Sequence, residues 1–139
     1  MSDDCIFCKI IAREIPSAIF YEDETVVAFL DAFPAVEGHS LVVPKRHTES
    51  FRESLTEVRQ ATEVLPRLAS VVVAAIGADG MNILCNDGSA AGQVVPHIHF
   101  HIVPRKPNDG LKIHAPQQQG DMNHLKALAE LFSQALKKK

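Results

Sequence analysis

Cysteine is scarce and odd in number, three in 139 residues, which excludes a fully paired disulfide framework of the kind small secreted domains use. Charge of one sign is also lacking. The formal net charge is -3, so nothing in the overall balance asks for a nucleic-acid or membrane partner, and a small solute is the favoured ligand. No apolar run approaches the roughly 20 residues of a membrane span. The opening MSDDCIFC has neither a basic n-region nor an apolar h-region, and the expectation is a soluble cytoplasmic protein. Internal repeats and low-complexity tracts are missing too. What is present is a 46% hydrophobic content, enough for the core of one domain over residues 1–139 and hardly enough for two.

Apolar periodicity predicts an α+β chain. IFCKIIARE reads as a short N-terminal helix closed by Ile15-Pro16. AIFYEDETVVAFLDAFP reads as two strands around an acidic turn, the second running from Val26 to Leu30. HSLVVP follows a Glu37-Gly38 turn as a third strand and ends at Pro44. Residues 55–76 form the longest helix, with Gly77 and Gly80 as stop signals and Pro66 expected to bend it or mark its entry. MNILCND reads as a strand, NDGSAAGQ as a small-residue loop and PHIHFHIVP as the last strand. A C-terminal amphipathic helix spans about 121–137, and its closing lysines, Lys137 to Lys139, are a solvated end suited to the helix dipole.

The stretch PHIHFHIV places His97, His99 and His101 at every second position. Alternation along a strand puts the three imidazoles on one face, about 6.5 to 7 Å apart, and Ile98, Phe100 and Ile102 on the other. At this chain's histidine usage such a triple is expected by chance in roughly 2 of 100 sequences of this length. Three imidazoles on one face suit a metal, or acid, base and nucleophile work near neutral pH. The preceding Asn86-Asp87-Gly88-Ser89-Ala90-Ala91-Gly92-Gln93 loop is rich in small residues whose backbone N–H groups can approach an anion, with Asn86, Ser89 and Gln93 as side-chain donors. Together they suggest a phosphate held against an imidazole nucleophile.

GQVVPHIHFHIV resembles the signature of the histidine triad (HIT) family, and the similarity extends to IFCKI, AFLDAFPAVEGH, HSLVVPKRH and NDG. The resemblance implies an antiparallel sheet of about five strands with a short N-terminal, a long central and a C-terminal helix, usually as a homodimer whose sheets join. It implies hydrolysis at the α-phosphate of a purine nucleoside 5'-phosphate derivative, of phosphoramidase type, through a nucleotidyl intermediate on His99. His101 then contacts the phosphate and His39 supports the triad. Asp31 falls where the family accepts hydrogen bonds from the ribose. Ile6, Phe7, Ile10, Phe29 and Ala32 fall around the base, and Asn86, Gly92 and Gln93 on the phosphate side. Val94 departs from the Ser or Thr of several branches. Pro104-Arg105 resembles the dinucleoside polyphosphate hydrolase branch, the rival activity; a zinc-stabilised nucleotide-binding module is the rival from another class.

Cys5-x-x-Cys8 could be a redox pair, a coincidence or half of a zinc site. The resemblance supplies His47 and His97 as the other two ligands of a structural zinc, with no organic cofactor. Cys85 is expected as a buried apolar filler, and His114 and His124 as surface residues.

Overall fold

The computed structural model describes residues 4–113, 115 and 117–138, so the expectation for His114 lies outside the described residues. Five strands, β1 (Ile19–Glu22), β2 (Val26–Leu30), β3 (Ser40–Pro44), β4 (Gly80–Leu84) and β5 (Phe100–Arg105), form one antiparallel sheet in the order β1-β2-β3-β5-β4. Helices α1 (Ile6–Ile11), α2 (Leu55–Ile76) and α3 (Met122–Lys137) complete the α+β fold.

The acidic turn between β1 and β2 is built by Asp23, whose Oδ1 accepts the amides of Thr25 and Val26, both at 2.8 Å. Alternation on the central strands then sends side chains to two cores. On one face Val26, Ala28, Val42, Phe100 and Ile102 pack under α2 through Ala61, Leu65, Leu68, Ala69 and Val72. On the other face Val27, Phe29, Leu41 and Val43 pack with Cys5, Phe7, Cys8 and Ile10 of the N-terminal segment. That second core is where α1 meets the histidine face.

Several boundaries differ from the sequence reading. The last strand begins at Phe100 and not at Pro96, because continuing its register would set Ile98 against Pro44, which has no N–H to give a ladder. The Ile98 amide instead donates to Thr48 O at 2.7 Å. Helix α1 stops at Ile11, since Arg13 takes a left-handed φ of 64° and the Glu14 amide closes back on Lys9 O. Pro66 neither starts nor breaks α2, which runs through it; the ring sits on the exposed side, where the unpaired carbonyl one turn earlier can meet water. Gly77 is the left-handed cap of that helix, while Gly80 is the first residue of β4, which ends at Leu84, short of Cys85. Cys85 is half-buried, with burial and then the nearby Asp87 charge pushing its thiol up to about 11. Every residue of α3 is exposed except the half-buried Leu128, and His124 is among the exposed ones.

Candidate active site

A cleft of about 620 Å³ opens between α1, the Ile15–Ala18 segment, the end of β2 and the loop before β5. Ile6, Phe7, Ile10, Phe29 and Leu41 make its apolar floor, and Asp31, Asn86, His99 and His101 line it as well. Phe7 stands edge-on to both Phe29 (5.5 Å) and His99 (4.9 Å), so one ring joins the apolar floor to the histidine face.

Hydrogen bonds settle which ring nitrogen carries the proton on each histidine. His99 Nδ1 lies 2.7 Å from His97 O. A carbonyl only accepts, so Nδ1 holds the hydrogen and Nε2 of the neutral ring keeps its lone pair. His39 works the other way. The Ala35 amide donates to His39 Nδ1 at 3.0 Å, which leaves the hydrogen on Nε2, 2.9 Å from His101 Nδ1 and 3.5 Å from Asp31 Oδ2. His101 Nδ1 is therefore an acceptor, and its Nε2 carries a hydrogen. Two rings whose centroids are 4.9 Å apart thus present opposite chemistry, a lone pair on His99 and a donor on His101.

Burial keeps both rings neutral. It is the leading cause that holds His99 below the ordinary histidine range, opposed by the His97 carbonyl and the Asp31 charge. His101 is lowered to about 4, by burial first and then by the neighbouring imidazoles His99 and His39. A neutral ring with a free lone pair and a neutral ring with an N–H donor are thereby available across the physiological range.

Beyond the triad end, Cys5, Cys8, His47 and His97 bring their ligand atoms within 4.8 Å of one another. Cys5 Sγ to His97 Nδ1 is 3.4 Å, Cys8 Sγ to His47 Nδ1 is 3.4 Å, Cys8 Sγ to His97 Nδ1 is 3.6 Å and the two Nδ1 atoms are 3.2 Å apart. A tetrahedral zinc with ordinary Zn–S and Zn–N bonds requires about 3.6 Å for sulfur to nitrogen and about 3.3 Å for nitrogen to nitrogen. The tautomer fits as well. His97 Nε2 is 2.7 Å from Pro44 O, so its hydrogen is there and the Nδ1 lone pair faces the thiols. The group Asp31, His39 and His101 is also compact, but a metal on His39 Nε2 would force a hydrogen onto Nδ1, against the Ala35 N–H. That group is a hydrogen-bonded relay, not a cation site.

A family model described as HIT domain matches residues 12–108. The adenosine 5'-monophosphoramidase hnt1 of Schizosaccharomyces pombe is 41% identical over 135 residues, covering 96% of this chain and 98% of that protein. Among solved structures, a Streptococcus mutans UA159 protein superposes with a TM-score of 0.93 at 41% identity, over 98% of this chain and 87% of that one. This chain belongs to the HIT family. A Zn-bound histidine triad protein from Mycobacterium smegmatis is 39% identical with a TM-score of 0.74, over 94% of this chain and 96% of that one.

Within the HIT frame, the structure brings Ile6, Phe7, Ile10, Phe29, Asp31, Ala32, Asn86, Gly92, Val94, His99 and His101 to the cleft wall, with His39 directly behind His101. It does not bring Ser89 or Gln93 there. Ser89 lies in an exposed single turn. Gln93 spans the loop, with Oε1 accepting the Gly88 amide at 2.8 Å and Nε2 donating to Glu49 O and Val95 O. Arg105 is also away from the cleft, donating to Asp109, Asn82 and Leu111 O. The Ala35 amide and the cleft-lining Phe33 escape sequence reading. A backbone donor has no residue signature, and Phe33 beside Pro34 reads as part of a turn.

Proposed function

We propose that the chain is a nucleotide hydrolase of phosphoramidase type acting on purine nucleoside 5'-phosphoramidates. The observation that carries this reading is the complementary pair of tautomers at the end of an apolar cleft, a lone pair on His99 beside an N–H on His101. The base packs among Ile6, Phe7, Ile10, Phe29 and Ala32, and the ribose hydroxyls donate to Asp31. Asn86, the backbone at Gly92 and His101 take the phosphate. His99 Nε2 attacks the α-phosphorus: a bond to His99 forms, the bond to the amine breaks, and the amine nitrogen takes a proton from solvent at the open mouth as it leaves. Water then attacks the same phosphorus, the bond to His99 breaks with its electron pair returning to Nε2, and the proton lost by that water passes to solvent as the 5'-monophosphate is released. His101 donates to the oxygen on which charge develops, and His39 positions it. Gln93 acts at one remove, by shaping the loop.

Cys5, Cys8, His47 and His97 would hold a structural zinc, whose four protein ligands leave no open position for substrate chemistry. Its bearing on the reaction is mechanical, because His97 O is the acceptor that orients His99. The working form is a cytoplasmic homodimer of a single HIT domain, with neither nucleic acid nor membrane as partner. Support for pairing is the edge strand β4, where Met81 and Ile83 are exposed, and the uncovered apolar residues of α3. Against the polyphosphate rival, Arg105 is tied to Asp109, and among the described residues no Lys or Arg lines the cleft.

A chromatographic time course with adenosine 5'-phosphoramidate and diadenosine triphosphate tests the reading. AMP release from the phosphoramidate, lost in His99→Ala, is expected. Cleavage of the dinucleotide alone would favour the polyphosphate branch, and AMP binding without turnover of either would favour a binding module.

A further inference from the structure

Two large apolar side chains at the cleft are left almost entirely uncovered. Val94 is 89% exposed and Phe33 91% exposed, yet both line the same cleft as His99 and His101. Val94 stands on the loop between Gly92 and Val95; Val95 packs against the second core, around Phe7 and Phe29, and so fixes the foot of that loop. Phe33 is held on the segment after β2, its amide donating to Asp31 Oδ1 at 2.9 Å, while Asp31 Oδ2 faces His39, the residue behind His101. Both residues are thus exposed lining groups next to the triad end of the cleft, Phe33 through Asp31 and His39 and Val94 through the loop that carries Gly92, and not part of the buried floor around Phe7 and Phe29.

A displaced group leaves from the side of phosphorus opposite the attacking nitrogen. With His99 buried in the wall, 7% exposed, that side is the mouth. Among the described residues that line the cleft, a group emerging there meets Val94 and Phe33, meets no lysine or arginine, and meets one anion, Asp31. Anionic leaving groups find no counter-charge, whereas an alkyl or aryl group gains cover for its own surface and for two exposed side chains.

We infer that Val94 and Phe33 form an apolar leaving-group subsite, which selects nucleoside phosphoramidates of uncharged, apolar amines over those of ammonia or of amines bearing a carboxylate. This rests on the phosphoramidase reading and narrows its substrate class.

The test is kcat/KM for adenosine 5'-phosphoramidates of ammonia, methylamine, propylamine, hexylamine and 6-aminohexanoate, in the wild type and in Val94→Ser and Phe33→Ser. Full burial of a methylene corresponds to about a fourfold change. At an open mouth the expected rise is about twofold per methylene up to propyl, with the 6-aminohexanoate compound at least about fivefold below the hexylamine one. Each serine variant flattens its own series, a comparison within one protein that is independent of its absolute rate. A flat wild-type series with steady turnover, a preference for the carboxylate compound, or slopes unchanged in both variants overturns the subsite while leaving the phosphoramidase reading intact. No AMP release from any member overturns both.

Discussion

The relay from the Ala35 amide through His39 to His101 makes a prediction that a simple list of contact residues does not. If His39 acts only by fixing His101, the two are one functional unit, and their losses do not add. His101→Ala removes the donor facing the phosphate, and loss of one such donor costs roughly 100- to 1,000-fold in turnover. His39→Ala leaves the donor in place but removes the Nε2–H that holds His101 Nδ1 at 2.9 Å. The ring is then free to turn or to place its hydrogen on Nδ1, and a misplaced group of this kind costs roughly 10- to 100-fold. Independent action would make the double variant roughly 1,000- to 100,000-fold slower than the wild type. Serial action leaves it within about threefold of His101→Ala alone. The assay is kcat and KM for adenosine 5'-phosphoramidate in all four proteins, with the unfolding midpoint of each recorded to separate a folding loss. A double variant slower than His101→Ala by the full factor of the His39→Ala loss would refute the relay and give His39 a direct contact with the reacting atoms.

Purified protein should carry about one zinc per chain by elemental analysis. Cys8→Ser should lose the metal and lower the unfolding midpoint by more than about 7 °C, equivalent to about 2 kcal/mol or more for a chain of this size; an unchanged metal content would count against the ligand set. His101 is lowered to about 4 in the fold and titrates near 6.5 when unfolded. The unfolded chain therefore binds the extra proton first, and this stabilisation is complete above about pH 6.5 and lost as pH falls towards 4, about 3 kcal/mol in all. Comparing wild type with His101→Gln across that window by urea unfolding should show a shallower acid loss in the variant, and parallel curves would remove the assignment. Gly38→Ala should destabilise the chain by at least about 2 kcal/mol: at φ +91° the added Cβ would lie 2.6 Å from Ile76 Cγ1. Equal urea midpoints for the two proteins would contradict the close approach of Gly38 to the end of α2.

The sheet and the cleft floor were legible because their signals are local and periodic. Val26 to Leu30 and Ser40 to Pro44 form strands buried on both faces except at the exposed Leu30, and Gly77 stops α2 with a left-handed turn. The histidine strand was legible in its alternation and not in its length. His97, His99 and His101 do turn away from Phe100 and Ile102, but the ladder ends where Pro44 can no longer donate, a fact about the neighbouring strand that the histidine segment does not encode. Gln93 and Ser89 show the opposite limit. Residue type marks them as donors, yet Gln93 is consumed by Gly88 and Val95 of its own loop and by Glu49 O from the segment after β3. Asp87, which reads as a turn residue, is what ties that loop to Ser50 and Arg52. Such pairings join positions some 35 residues apart and leave no pattern in either segment.

One residue type can serve three purposes here because an imidazole has two nitrogens and the backbone occupies one of them in two of the three cases. Pro44 O takes the hydrogen of His97 at Nε2 and leaves Nδ1 facing two thiols and His47. His97 O takes the hydrogen of His99 at Nδ1 and leaves the lone pair on Nε2, the atom proposed to attack. The Nδ1 of His101 is met by a donor instead, His39 Nε2, which reverses its polarity. The choice of hydrogen-bond partner thus decides which nitrogen each ring offers to its proposed role as metal ligand, nucleophile or donor, and burial keeps each ring neutral so that the choice persists near pH 7. Replacing any of these histidines by glutamine can reproduce one nitrogen at most. For His101 that one, the donor, is the atom the chemistry uses, whereas His99 needs a lone pair that an amide nitrogen does not have. Residual turnover should therefore survive His101→Gln and vanish in His99→Gln. Equal loss in the two variants, measured as AMP release under single-turnover conditions, would show that the roles are not divided in this way.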